Sequence, residues 1–337
     1  MTTLTQPLAE RYEAFKTENP KTRIRDAAQQ LGVSEAELVA TGALVHRLRP
    51  DFPELLQDLQ SLGSVMALTR NDHAVHERHG VYTNVSFEGP VGLVLNPDID
   101  LRLFMMHWKY VFAVTEGDRQ SLQFFDNSGE AIHKIYVTEH TDNAAYNALV
   151  EKYAATDLPE ISTEAPKAKP AEMPDAVVNK EAFQSDWLAL QDTHDFFPML
   201  GKHRVSRMQA LRLAPDGYAR RIGNDASRQL LAAASGTEVP IMVFVGNRGC
   251  IQIHTGPVQK VMEAGPWYNV LDPHFNLHLR ESAIAQTWMV RKPSVDGIVT
   301  SVEVFDEAGE MIVQFFGQRK PGQPEREDWR ELVGRLN

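Results

Sequence analysis

The sequence predicts an α+β protein built from two tandem pseudo-repeats, each an antiparallel β-sheet with packed helices. Three observations lead to this fold class. The two halves of the chain resemble one another, a segment rich in Pro, Ala and Glu separates them, and in each half a helical region precedes alternating or β-branched runs. A chain of 337 residues with 43% hydrophobic residues is long enough for two domains with their own cores.

The repeat is clearest near the end of each half. Residues 121–132 read SLQFFDNSGEAI and residues 301–312 read SVEVFDEAGEMI, with six of the twelve positions identical. Similarity at a fixed order and near-constant offset indicates duplication. Upstream the repeat continues through the pairs Trp108/Trp288, Asn71/Asn247 and Ser34/Ser206.

The segment 154–179 has no sustained apolar period, so it predicts a linker. We therefore expect a first pseudo-repeat over 1–153, the linker over 154–179 and a second pseudo-repeat over 180–337. Ligands often bind where such halves meet, so we expect a ligand cleft between them.

Within each half, apolar spacing predicts the elements in order. Helical regions are expected over 23–40 and 181–213. The motifs FDNSGE and FDEAGE predict hairpin turns, because Asp, Asn and Gly tolerate the backbone angles of tight turns. Strands are expected within 64–69, 91–95, 110–115 and 121–137 of the first half, and within 239–245, 250–254, 288–290 and 298–316 of the second.

Composition excludes several classes of protein. The 34 basic and 45 acidic residues give a formal charge of -11, which disfavours binding to nucleic acid. No uncharged apolar run approaches the roughly 18 residues of a membrane span. The first ten residues lack the pattern of a secretory signal, and the single cysteine, Cys250, cannot form an intrachain disulfide. We expect a cytoplasmic protein in which Cys250 is a small buried residue.

Two motifs suggest chemistry that their context disfavours. Residues 23–42 resemble a helix-turn-helix, but Glu35 and Glu37 lie on the expected recognition helix and would repel phosphate. A turn between two scaffold helices is the favoured interpretation. The histidines in NDHAVHERHG (73, 76 and 79) suggest a metal cluster. On a strand, however, the middle one points away from the other two, so we interpret them as strand and turn residues.

His194 lies in the segment 185–200, SDWLALQDTHDFFPML. Trp187, Leu190, His194 and Phe197 have the spacing of a single helical stripe, with Ser185 as its N-cap. Two interpretations stay open. The imidazole is a core histidine satisfied by its neighbours, or it is an axial ligand to a flat apolar cofactor such as haem.

Basic residues in apolar contexts are the last candidates. Arg102, Arg207, Lys292 and Arg319 are each typical of ordinary surface side chains, yet together they could bind the two carboxylates of a haem. The sequence has no glycine-rich phosphate loop, nucleophile elbow or His-Glu-x-x-His motif.

Several long stretches, in order, resemble the bacterial hemin-degrading factor family, whose members are also called hemin transport proteins. These stretches are NDHAVHERHGVY, NPDIDLRLFMMHWKYVFAV, FFDNSGEAIHKIYV, DTHDFFPMLGKHRVSRMQALRL and FFGQRKPGQPE. The resemblance covers nearly the whole chain, including the duplication. It implies a cytoplasmic protein of iron acquisition that binds haem b (hemin) in a cleft between its halves.

The resemblance also assigns roles to residues of this chain. His194 would be the axial ligand of the haem iron, Arg102 the distal and possible catalytic residue at the sixth position, and Phe104 would line the same region. Propionate and wall contacts would come from Arg207, Phe244, Lys292, Gln314, Phe316 and Arg319. By strand alternation Gln314 and Phe316 share a face. Relatives carry tyrosine near Phe316, so this chain would lose one hydrogen bond to a propionate there, whereas its first-repeat counterpart is Tyr136.

Three classes of function remain open. An enzyme would open the porphyrin with electrons from an external donor, because no flavin or nicotinamide fingerprint is present. A carrier would hand haem to a separate haem oxygenase, and an interaction protein would bind no cofactor. Expected partners are haem and, through the family, an uptake transporter, a haem oxygenase or a reductase, with neither nucleic acid nor a membrane span.

Overall fold

A computed structural model describes residues 7–155, 157–165, 170–320 and 322–337. The chain divides into two compact units. The first unit contains residues 1–70, 77–167 and 247–252, and the second contains 71–76, 168–246 and 253–337. Each unit therefore includes a short segment from the other half of the sequence.

The helices are short, and the strand pairs described below are all antiparallel. The α-helices are α1 (Leu8–Glu18), α2 (Ile24–Leu31), α3 (Glu35–Val39), α4 (Phe52–Asp58), α5 (Asn143–Tyr153), α6 (Lys180–Leu188), α7 (Phe196–His203), α8 (Arg207–Arg212), α9 (Ala226–Thr237) and α10 (Glu327–Gly334). The first nine strands are β1 (Val45–Arg47), β2 (Val65–Arg70), β3 (Ala74–Gly80), β4 (Val85–Glu88), β5 (Val91–Leu95), β6 (Asp100–Phe104), β7 (Trp108–Glu116), β8 (Arg119–Asp126) and β9 (Ala131–Tyr136). The other nine are β10 (Ala219–Ile222), β11 (Ile241–Gly246), β12 (Cys250–Gly256), β13 (Val261–Ala264), β14 (Trp267–Leu271), β15 (Phe275–Leu279), β16 (Gln286–Ser294), β17 (Gly297–Phe305) and β18 (Met311–Gly317).

In the first unit, strands β1, β7, β8, β9 and β2 pair in that order, and β4, β5 and β6 form a meander. Helices α4 and α5 pack on the sheet through a core that contains Leu55, Leu59 and Tyr146. Cys250 belongs to this core and is fully buried, as predicted.

In the second unit, strands β10, β16, β17, β18 and β11 pair in that order, and β13, β14 and β15 form the corresponding meander. One core packs α9 and α10 against the sheet around Trp329 and Phe315. The other core packs α6, α7 and α8 against Val290 and Phe305. The α+β class with two antiparallel sheets is confirmed.

Strand register confirms the duplication at the level of single residues. Tyr136 is the Cα partner of Met66 and Ser121. Its aligned residue Phe316 is the partner of Met242 and Ser301, the counterparts of those two. The aligned sequences therefore occupy equivalent positions in two copies of the same sheet.

The two predicted hairpin turns are also confirmed. Oδ1 of Asp126 accepts hydrogen bonds from the backbone of Ser128 and Glu130, and Oδ1 of Asp306 accepts one from the backbone of Glu310. The glycine in each turn has a positive φ, 77° at Gly129 and 74° at Gly309.

The short exchanged segments carry a matched pair of asparagines. Nδ2 of Asn71 donates to the carbonyls of Gly246 and Ile312 in the second unit, at 3.2 and 2.8 Å. Nδ2 of Asn247 donates to the carbonyls of Arg70 and Ile132 in the first unit, at 2.9 and 2.8 Å. Both acceptors of Asn247 align with those of Asn71, so each segment is fixed in its unit by the same contacts.

The helix-turn-helix segment forms the predicted scaffold turn. Ser34 caps α3 in a capping box with Glu37, and Ser206 caps α8, so the repeated Val-Ser pair marks a helix start in both halves. Four of the five α3 residues are buried, Glu35 among them, so this helix presents no recognition face. None of the helices in the described ranges is long and apolar enough to span a bilayer.

The expected helical region 181–213 is helical but not continuous. It consists of α6, a 3₁₀ turn at Thr193–Asp195, α7 and α8. Asn179 caps α6, and Ser185, predicted as an N-cap, lies inside that helix. In the described part of 154–179, the structure has a 3₁₀ turn at Asp175–Val177 and a single β-bridge at Ala154.

Candidate functional site

His194 lies in an exposed 3₁₀ turn of the second unit, with 84% of its side chain accessible. Oδ1 of Asp192 is 2.6 Å from the ring Nδ1 and 2.9 Å from the backbone nitrogen of His194. Because a carboxylate only accepts hydrogen bonds, Nδ1 is the protonated nitrogen of the neutral ring. The lone pair then lies on Nε2, which has no hydrogen-bond partner among the described residues.

The predicted helical stripe through His194 is wrong. Helix α6 ends at Leu188, and Asp192 starts a separate turn by accepting from the His194 backbone. Pro198 is the third residue of α7. In the first turn of a helix the backbone N–H has no partner within the helix, so a proline, which lacks this group, is tolerated there. Trp187 is buried, whereas Phe197 is 77% exposed.

Arg207 and Lys292 converge on a buried carboxylate that the sequence analysis did not include, Glu303. Arg207 donates from Nε and Nη2 to the two Glu303 oxygens, at 2.8 and 2.7 Å. Nζ of Lys292 donates to Oε1 of Glu303 at 2.8 Å. Both cations also lie over the ring of Phe196, Nζ of Lys292 at 4.5 Å and the Arg207 guanidinium at 5.3 Å from its centroid.

Burial and charge determine the protonation of this cluster. Burial lowers the pKa of Lys292 to about 8, against the opposing charge of Glu303. Burial alone would raise the pKa of Glu303, but the charges of Arg207 and Lys292 outweigh it and hold that pKa well below its usual range. At neutral pH the three groups are ionised, and the cluster carries one net positive charge.

Phe244, Gln314 and Phe316 lie on the same sheet face as Glu303, as strand alternation predicts for Gln314 and Phe316. Gln314 is the Cα partner of both Glu303 and Phe244. The rings of Phe244 and Phe316 pack with centroids 4.9 Å apart. All three side chains are half-buried, so they form a partly aromatic wall that is accessible to solvent.

Strand direction, one hydrogen bond and one charge effect place His194 and Arg319 near the same end of this sheet. Strands β16 and β18 both pair antiparallel with β17, so their carboxyl ends lie at the same edge. The backbone nitrogen of Val295, just after β16, donates to Gln191 beside the His194 turn. Arg319 follows β18, and its charge, together with the larger effect of the hydrogen bond from the His194 backbone, lowers the pKa of Asp192. The second unit thus contains all the predicted site residues except Arg102 and Phe104.

Arg102 and Phe104 belong to the first unit, on β6. Arg102 is half-buried and forms an ion pair with Asp100 on the same strand face. Burial raises the pKa of Cys250 to about 12, and the charge of Arg102 partly opposes that effect. The backbone nitrogen of Phe104 donates to Gly249 at 2.9 Å.

Sequence reasoning missed three acidic partners: Asp192, Glu303 and Asp100. Glu303 had a detectable signal, since it is an acidic residue at an alternating position between Ser301 and Phe305 in SVEVF. Asp192 lies two residues before His194, which is within reach of an Asx-type turn.

The three clustered histidines lie where the strand interpretation predicts. Ala74–Gly80 forms β3, on which His76 is buried and His79 half-buried, and His73 precedes the strand. In the ranges that the structure describes, no group of three His, Cys, Asp or Glu side chains has the arrangement of a metal site.

A separate cavity of about 560 Å³ lies in the first unit. Phe52, Trp108 and Tyr110 line it together with the segment that includes Leu158 and Ser162. It contains none of the predicted haem residues.

Comparison with models of protein families identifies the family of the chain. The model of the haemin-degrading HemS/ChuX domain matches twice, over residues 32–153 and 204–336. The chain belongs to this family. The two matches cover the two pseudo-repeats, in agreement with the duplication read from the sequence.

Relatives of this HemS-family chain are similar over nearly their whole length. The hemin transport protein HemS of Yersinia enterocolitica is 42% identical, over 99% of this chain and 98% of its own. The solved structure of holo-PhuS, a heme-binding protein from Pseudomonas aeruginosa, is 49% identical with a TM-score of 0.95 and 98% coverage of both chains. The Escherichia coli O157:H7 heme degrading enzyme ChuS is 38% identical with a TM-score of 0.91, also over 98% of both chains.

Proposed function

We propose that this protein binds haem in the cytoplasm and either degrades it to release iron or delivers it onward. The observation that carries the proposal is the state of His194. Its imidazole is exposed, Asp192 holds one ring nitrogen, and the other nitrogen is available to a metal. Histidines that ligate metals usually donate their second ring N–H to a carboxylate or carbonyl in this way.

The surrounding residues fit haem better than a free metal ion. Among the described residues no group of three His, Cys, Asp or Glu side chains could hold a metal ion, and a single imidazole suits a metal whose other positions are filled by a macrocycle. The half-buried rings of Phe244 and Phe316 supply the apolar surface that a porphyrin requires. Bound haem supplies the iron and the ring that an oxygenase would open.

The chain's own residues then take distinct roles. His194 would hold the iron through Nε2, and the aromatic wall with Gln314 would contact the ring. Arg207, Lys292 and Arg319 bind the propionates, because hydrogen bonds between charged groups are the strong ones. On the first unit, Arg102 would be the distal residue towards the haem iron, and Phe104 would line the same region. Burial of the only cysteine, Cys250, agrees with a reducing compartment.

Both degradation and delivery remain within the proposal. The relatives divide in the same way, since the Yersinia protein is called a hemin transport protein and the E. coli protein a heme degrading enzyme. Degradation would require an electron donor such as a reductase, and delivery would require a transporter upstream and a haem oxygenase downstream.

The ligand assignment is tested by titrating hemin into the protein and following the Soret band. We expect one-to-one binding, and we expect His194→Ala to shift the band and to weaken binding at least tenfold through loss of the iron ligand. His140→Ala, which removes another exposed imidazole, should bind as the wild type does. Identical spectra and affinity for His194→Ala and the wild type would refute the assignment.

Enzyme and carrier are separated by incubating the haem complex with an electron donor in the presence of catalase, which removes free peroxide. An enzyme yields a defined tetrapyrrole product and free iron, whereas a carrier retains intact haem. Arg102→Ala should reduce product formation if Arg102 acts on the distal side of the iron.

A further inference from the structure

We propose that Glu303 is a positioning residue of the haem site, which holds Arg207 and Lys292 in the geometry that receives the two carboxylates of the ligand. The inference rests on the proposed haem-binding function. Glu303 itself touches no ligand in this proposal, and it acts through the two cations.

The hydrogen-bond pattern of Glu303 supports this role. Oε1 accepts from Arg207, Lys292 and, at 3.0 Å, the hydroxyl of Ser301, and Oε2 accepts from Nε of Arg207. The side chain is fully buried, with 0% accessible, so its acceptor capacity is used within the protein. A carboxylate bound this way fixes its donors in place.

The two cations keep donors for a ligand. Nη1 of Arg207 makes no hydrogen bond among the described residues, and the side chain is 25% exposed. Nζ of Lys292 uses one of its three donors on Glu303. Both cations lie over the ring of Phe196, which limits the directions in which their unused N–H groups can point.

Charge gives Glu303 a second effect on the same two residues. Arg207 and Lys292 would repel one another without the carboxylate that they share. Glu303 therefore reduces the repulsion between Arg207 and Lys292, so that both positive charges can stay close together and bind the two carboxylates of the ligand. Burial already lowers the pKa of Lys292 to about 8, and Glu303 opposes a further fall.

The first unit has a different arrangement at the equivalent positions. Glu303 aligns with Gln123, and Arg207 aligns with Glu35. There the buried carboxylate comes from helix α3, with Glu35 2.6 Å from Lys134 and 3.6 Å from Arg70. Among the described residues, only in the second unit, where His194 lies, does a carboxylate on this strand (Glu303) bind a cation on the helix (Arg207).

The test compares hemin with hemin dimethyl ester, which has the same ring and iron but no free carboxylates. We expect the wild type to prefer hemin, and Glu303→Gln to lower the ratio of the two affinities about tenfold, as expected for weakened charge-assisted hydrogen bonds. If Glu303 had a purely structural role, its substitution would weaken the binding of both ligands equally and leave the ratio of the two affinities unchanged. Glu35→Gln is the matched control, because it removes a buried paired carboxylate from the first unit, and its ratio should equal that of the wild type.

The outcomes separate this inference from the proposed function. If Glu303→Gln does not fold, Glu303→Asp is measured in its place, since it keeps the charge but withdraws the carboxylate by one methylene. An unchanged ratio in the variant that folds would overturn the inference. Equal affinity of the wild type for both ligands would also overturn it while haem binding stands, and binding of neither ligand would refute the proposed function itself.

Discussion

The pair formed by Asp192 and His194 gives a quantitative prediction about metal binding. In Asp192→Asn the amide oxygen can still accept a hydrogen bond from Nδ1, but the negative charge next to the imidazole is lost. That charge makes Nε2 a better donor to iron. Loss of such a partner weakens metal binding by roughly 10- to 100-fold. Because Asp192 is 59% and His194 84% exposed, water screens the charge, so we expect the low end, about tenfold or about 1.4 kcal/mol.

The assay is a hemin titration at fixed ionic strength, with Asp195→Asn as the control. Asp195 lies in the same turn, next to His194 in sequence, and is exposed. Its substitution by Asn removes the same charge from a side chain that does not contact Nδ1. The control should bind within about twofold of the wild type, as expected for an exposed charge. Equal losses in Asp192→Asn and Asp195→Asn would show that only the net charge of the turn matters, and would refute a specific effect of the Asp192 carboxylate that is bonded to Nδ1.

Two further predictions concern the core and the aromatic wall. Burial lowers the pKa of His133 to about 3, where it lies between Tyr82 and Thr69 at 2.6 and 2.8 Å. Between pH 3 and about 6.5 the unfolded chain binds a proton that the folded protein does not, so this group lowers the free energy of unfolding as pH falls, by at most about 1.4 kcal/mol per pH unit. His133→Gln should remove that component from urea unfolding curves measured from pH 7 to 4, and parallel curves for both proteins would contradict the assignment. Phe316→Tyr should tighten hemin binding roughly two- to tenfold, the usual range for one added hydrogen bond. No gain in titration, or an equal gain for hemin dimethyl ester, would contradict a contact with a propionate.

Much of the fold could be predicted because its signals are local and regular. Residues 91–95 form β5 with the predicted limits, and the two FD-containing motifs form hairpin turns. Strands β13 to β15 were not predicted, since they carry polar residues such as Asn269 at buried positions and so lack the clean alternation of a half-buried strand.

The sequence indicated which residues are candidates for the site, but not the contacts that these residues make. Trp187, Leu190, His194 and Phe197 have helical spacing, yet Asp192 interrupts the helix through a hydrogen bond that spacing alone cannot indicate. Arg207 and Lys292 were selected as cations for a ligand, but their shared partner Glu303 lies 96 and 11 residues away in sequence. Tertiary ion pairs of this kind depend on strand register, which becomes known only when the sheet is assembled.

The asparagine segments have a consequence for any attempt to divide the chain. A fragment that ends in the linker would lack residues 247–252, and with them the donor that Asn247 provides to Arg70 and Ile132. The indole of Trp108 would also lose its acceptor, the carbonyl of Gly249 at 2.9 Å. Buried polar groups left without partners cost roughly 1 to 3 kcal/mol each. Each copy therefore depends on a segment from the other half of the sequence, and truncation in the linker would weaken the half that remains.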